Sequence, residues 1–254
     1  MFYDRFKRIF LPTLAFLGLV LLWEFICRVS GWRQEVFPSP MQVAVSMWEL
    51  IKNGTLIKHT IASLFRVTLG FYLAVLFGIP LGIILGWWKM GQMAFNSLIQ
   101  FLRPISPLAW IPLTMLWFGI GDKPAIFLIF LSSFFPVLVS TMVAVNHIKS
   151  NYFQVAANFN LSKTETFRMV IFPAIMPSLL PALRISMGIA WMVVVAAEMI
   201  AVKSGLGFLI LDSRNALRID FVMDSMAVIG VIGIGLDRVI SQFSKIKSVS
   251  WGIY

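Results

Sequence analysis

Six long apolar runs divide this chain of 254 residues, and they constrain its fold more than any other feature. They fall at about 9–29, 68–88, 94–119, 124–145, 176–201 and 221–241. A helix needs about 20 apolar residues to cross the hydrocarbon core of a bilayer. Helices satisfy their backbone hydrogen bonds internally, which hydrocarbon demands. The expected fold class is therefore all-α integral membrane protein, a single domain over 1–254 with about six transmembrane helices. Composition agrees: 59% of residues are hydrophobic and 13% charged, against roughly 25% charged in a soluble domain. A water-soluble enzyme does not fit.

The formal net charge of +10 comes from basic residues scattered in ones and twos between the apolar runs. That scatter argues against a nucleic-acid groove and for a lipid bilayer as the partner surface. The one cysteine, Cys27, excludes an intramolecular disulfide and a cysteine metal cluster. The first run is long for a signal peptide and no A-x-A site follows it, so it reads as an uncleaved first span. Ten basic residues fall on one side of the six spans and nine on the other, which decides nothing. Arg5, Lys7 and Arg8 before the first span, and Lys245 and Lys247 after the last, put both termini inside.

Between the first two runs, 31–67 is an amphipathic outer segment. Met41, Val45, Trp48 and Ile51 share one helical face, as in a helix lying on a membrane or on the protein. In the second run Gly70, Ala74, Gly78, Gly82 and Gly86 recur every four residues. Such a stripe lets another backbone approach closely, within one subunit or across a dimer. The third run holds Pro104, Pro107 and Pro112, too many for one regular helix. Broken helices are tolerated in membranes where they line a cavity or are buried in protein. Arg103 and Arg184 lie at membrane depth, and Glu24, Glu198 and, near an end, Asp237 are the acids there. Arg103, Pro104, Pro107, Arg184 and Glu198 are candidates for a translocation path, where the two arginines would favour a small anion. The other reading is that the arginines snorkel or pair with Glu198 or a carbonyl.

The 146–175 loop is unlike the others. Gln154 to Pro173 reads as a short helix, a turn at Asn160 and a second helix. Ser162 and Glu165 have capping-box spacing, and Asn160 suits a left-handed position. Phe159, Phe167 and Val170 form an apolar face, so the loop reads as a docking element.

Here the sequence resembles the permease subunits of bacterial ATP-binding-cassette importers, whose cytoplasmic loop carries E-A-A-x3-G-x9-I-x-L-P. Gln154, Val155, Ala156, Asn160, Val170, Phe172 and Pro173 fall on those positions, with only Ala156 and Pro173 identical. Phe37 to Pro40, Ser63 to Val67, Arg103 to Pro112, Leu116 to Gly121, Ala197 to Met199 and Ser204 to Gly207 resemble the nitrate, sulfonate and taurine branch, which also includes bicarbonate and thiamine- or riboflavin-precursor importers. The resemblance implies a bacterial inner-membrane protein with the 146–175 loop cytoplasmic, as a coupling element. It also implies three kinds of protein partner: a pair of ATPase subunits, a second permease copy and a periplasmic or extracellular solute-binding protein. ATP and Mg would be bound by the ATPase, since this chain has no G-x-x-x-x-G-K-[ST] and no Gly-Lys pair. No cofactor is expected in this chain itself.

Two rivals are weaker. An ion-coupled secondary transporter would usually show internal repeats and midplane acids. A membrane enzyme would need a constellation that His59 and His147, near span ends, do not make.

Overall fold

The computed structural model describes residues 2–33 and 35–243. Lys245 and Lys247 lie outside the described residues, as do the side chains of Arg5, Lys7 and Arg8. Among the described residues the regular structure is entirely helical. The elements are α1 (Phe2–Val29), α2 (Pro40–Lys52), α3 (Thr55–Trp87), α4 (Lys89–Leu102), a 3-10 turn (Pro107–Trp110), α5 (Ile111–Phe118), α6 (Asp122–Asn146), α7 (Ser150–Asn158), α8 (Lys163–Thr166), a π turn (Phe167–Ile171), α9 (Phe172–Ala201), α10 (Leu206–Asn215) and α11 (Ile219–Phe243).

Five stretches among the described residues are long and apolar enough to cross a membrane: Phe10–Val29, Thr55–Trp87, Asp122–Asn146, Lys163–Ala201 and Ile219–Gln242. The expected third run, 94–119, is α4, the 3-10 turn and α5 in succession. Pro104, Pro107 and Pro112 account for the breaks, because each lacks the N–H that would continue the preceding turn. The second helix starts at Thr55, well before the expected 68. Gly54, at φ +69, separates it from α2, and Leu56, Ser63 and Val67 are buried along the added turns.

The centre of the bundle is α3 against α6, with α9 packed against both. The small-residue stripe makes the first contact possible. A Cβ on Gly70 would come 2.7 Å from Ile129, on Gly78 3.1 Å from Val137, on Gly82 2.7 Å from the Leu138 carbonyl oxygen and on Gly86 2.7 Å from Val145. The facing residues on α6 also recur every four, so two matched rows close with the backbones nearly touching. The stripe therefore packs within this chain.

α1 stands apart. It touches the rest chiefly where the Trp23 indole donates to the Pro38 carbonyl at 3.2 Å, and none of its apolar span is buried. Ser39 and Gln42 form a capping box that starts α2. Val43, Ser46 and Leu50 face the protein, and the Met41, Val45, Trp48 and Ile51 face turns away from it.

Candidate functional site

One end of the bundle is held by a buried ion cluster. Ser63 and Arg66, three residues apart on α3, point the same way. Arg66 Nη1 donates to Glu198 Oε1 at 2.6 Å and to the Ser204 carbonyl at 2.7 Å. Its Nε reaches Asp122 at 2.8 Å, and its Nη2 reaches Asp122 at 2.7 Å and also the Ser204 hydroxyl. Every guanidinium N–H thus has an acceptor, as a buried arginine requires. Glu198 is 0% exposed; its Oε2 accepts from Ser63 at 2.7 Å and from the Gly207 N–H at 3.0 Å. Gly205, at φ +105, lies against the Glu198 carboxylate, and its N–H donates to His59 Nδ1 at 3.0 Å. The cluster ties α3, α6, α9 and α10 into one unit.

The far end carries the 150–172 loop. At the end of α7 the Leu161 N–H bonds the Ala156 carbonyl at 3.0 Å and the Asn160 N–H bonds Ala157 at 2.9 Å. With Asn160 at φ +50, this is a Schellman closure in which asparagine takes the left-handed position usually given to glycine. Ser162 and Glu165 then close a capping box, at 2.8 and 3.3 Å. Pro173 cannot donate to Met169, and just before it the helix widens to a π turn in which Phe172 N–H bonds Phe167. The second helix of the loop thereby runs into α9 without a break. Phe153 anchors the loop on Trp87, with ring centroids 5.5 Å apart, and Ala156 is buried. Gln154, Val155, Phe159, Phe167 and Phe172 are exposed, Phe159 at 74%. Val170 is half-buried and Pro173 exposed. The result is a doubly capped, protruding knob that shows Phe159, Phe167 and Phe172 beside exposed Lys163, Glu165 and Arg168.

The arginines separate. Arg103 is exposed just past α4, beside exposed Pro104 and half-buried Pro107, with no ion-pair partner among the described residues. Arg184 on α9 pairs with Asp237 on α11, and Glu198 belongs to the Arg66 cluster. At the α10–α11 turn a groove of about 730 Å³ is lined by Met41, Val45, Glu49, Leu217, Arg218 and Asp220. The Asp220 carboxylate beside Arg218 holds that guanidinium above the usual arginine range.

Residues 78–244 match the model of the binding-protein-dependent transport system inner membrane component family. The chain belongs to this family. Among its relatives is the nitrate import permease protein NrtB of Synechocystis sp., 35% identical over 239 residues, covering 91% of this chain and 86% of that one. The taurine transport system permease protein TauC of Escherichia coli is 34% identical over 224 residues, covering 86% and 82%. The fold is similar to a chain of the inward-facing MetNI methionine ABC transporter, with a TM-score of 0.59 over 77% of this chain and 96% of that one, at 16% identity. This is therefore a multi-pass membrane component of a transport system, and the stand-alone secondary transporter is not favoured. Within that family frame, Arg66, Asp122 and Ser204 are the residues that sequence reasoning gave no role. The S-x-x-R spacing on one helical face and an acid at membrane depth, Glu198, were the available signals.

Proposed function

We propose that this chain is the permease of an ATP-driven importer, working beside a second copy and above a pair of ATPase subunits. The 150–172 knob is the ATPase-coupling element and sits in the cytoplasm, with both termini on that side of a bacterial inner membrane. The ion-cluster end then faces outward, where a solute-binding protein delivers its cargo and the α2–α11 groove is available to it. ATP is bound and hydrolysed by the partner, and closure of the ATPase pair moves the knob. Because the knob continues into α9, the movement reaches the spans as a rigid-body shift between two states.

The observation that carries this reading is the knob itself. A connector needs neither two locked caps nor phenylalanine turned outward, whereas a docking helix needs both. The transported solute is a small molecule bearing an oxyanion group. The names of the nitrate and taurine relatives support this, since taurine carries a sulfonate, as does the exposed Arg103; aliphatic sulfonates and bicarbonate share the chemistry.

The test is co-purification in mild detergent of the tagged chain with a co-expressed P-loop ATPase. We expect roughly equal amounts from the native chain, and loss of the ATPase with Phe159→Asp while the chain stays in the membrane. Equal recovery with Phe159→Asp sinks the coupling assignment.

A further inference from the structure

The Arg184–Asp237 pair is in an unusual place for an ion pair. α9 rises about 1.5 Å per residue, which sets Arg184 about 18 Å from Phe172 and about 26 Å from Ala201, while Asp237 lies about 9 Å from Phe243 on α11, so the pair sits in the half of the spans nearer the 150–172 loop. Yet the two side chains are 52% and 44% exposed, on faces that also show Ile185, Val231 and Ile234. A charged pair turned to hydrocarbon is costly, so such a face points to water or to protein. The pair lines a cavity of about 420 Å³, together with Leu180, Pro181, Ile185, Ile240 and Ser241.

The guanidinium is only partly used. Nε and Nη2 of Arg184 grip the two Asp237 oxygens, the second at 2.5 Å. Both Nη1 hydrogens and one on Nη2 have no acceptor among the described residues. That free edge has the two-pronged shape which planar and tetrahedral oxyanions accept. Because Asp237 cancels the arginine charge, an anion there is oriented without being trapped. A path needs that property, since a site that holds too firmly stops flow.

We propose that the Arg184–Asp237 pair between α9 and α11 is a low-affinity subsite for a small soluble oxyanion on its way through the membrane. The inference rests on the reading of this chain as a permease, and assigns Asp237 the part of a positioning residue that weakens and aims Arg184. A lipid phosphate offers the same chemistry, and the test separates the two.

The test uses the full chain in phosphatidylcholine nanodiscs, with Cys27→Ser and Ile185→Cys. The new thiol is modified by the sulfonatoethyl and trimethylammonioethyl methanethiosulfonates, which have opposite charge and similar size. Each rate is taken relative to that with a free thiol in solution, because a thiolate itself favours the cationic reagent, and on that scale we expect the anionic reagent to be favoured. Asp237→Asn should raise the anionic-to-cationic rate ratio roughly tenfold, the effect of one unit charge about 6 Å away in partly aqueous surroundings. Arg184→Gln should reverse the preference, and methanesulfonate or nitrate should slow the anionic reagent only while Arg184 is present. If Arg184→Gln does not assemble, the Asp237→Asn ratio and the anion protection decide alone.

Three results overturn the proposal. Exclusion of both charged reagents, with an uncharged one reacting, means that lipid or a second copy covers the face. A ratio indifferent to both substitutions means water without anion recognition. Protection by phosphatidylglycerol but not by nitrate or methanesulfonate makes it a lipid site. Co-purification with the ATPase is read separately, so failure here leaves the permease reading standing and the reverse also holds.

Discussion

A Cβ built on Gly205 would stand 2.2 Å from the carboxyl carbon of Glu198, closer than unbonded atoms allow. The glycine is thus part of the ion cluster, because its missing side chain is the space the carboxylate occupies. Its φ of +105 is also strained for any other residue.

Gly205→Ala should therefore destabilise the protein by about 2–4 kcal/mol, combining backbone strain with displacement of a buried charge. Thermal unfolding of the full chain in detergent reads this. An unchanged midpoint would contradict the close approach.

Glu198→Gln leaves Arg66 buried with Asp122 as its one remaining acid. Breaking a buried pair from one side costs about 3–5 kcal/mol, whereas apolar replacement of both partners costs much less. The double variant Arg66→Met with Glu198→Leu should be more stable than the sum of its two singles implies. Strict additivity would mean the two groups do not act together.

Gly82→Val should separate α3 from α6 and destabilise by about 1–3 kcal/mol, since the added atoms meet a backbone carbonyl that cannot yield. Gly18→Val on α1, where nothing lies within 4 Å, should change stability by about 0.5 kcal/mol or less. Equal effects at the two glycines would remove the matched-row account of the core.

Much of this was legible in the sequence. The apolar runs disclosed the helices, because hydrocarbon leaves few alternatives, and the prolines disclosed the break in the third. The capping box at Ser162 and the turn at Asn160 were readable because their signals are local. The start of α3 was not. A charge usually ends a span, and Arg66 lies in 31–67, ahead of the second apolar run; it sits inside the helix because acids distant in sequence neutralise it. Asp237 as the partner of Arg184 was hidden for the same reason, since 53 residues separate them. The facing row on α6 was invisible because Ile129, Val137 and Val145 look like any lipid-facing side chains.

At the loop, Asn160→Gly should be neutral or slightly stabilising. Asn160→Val should cost about 1–2 kcal/mol by forcing a β-branched residue into a left-handed turn. Limited proteolysis across 158–163 is the readout. Cleavage should speed up with valine and stay at the native rate with glycine, and equal rates in all three would argue against the Schellman closure.

The most direct test of the permease account is solute entry into proteoliposomes holding the chain, its ATPase and the binding protein, with nitrate, taurine and methanesulfonate as the probes. The account predicts uptake of at least one of them with ATP, none with ADP, and none when the ATPase is left out. Uptake by the chain alone, driven by an ion gradient without ATP, would contradict it.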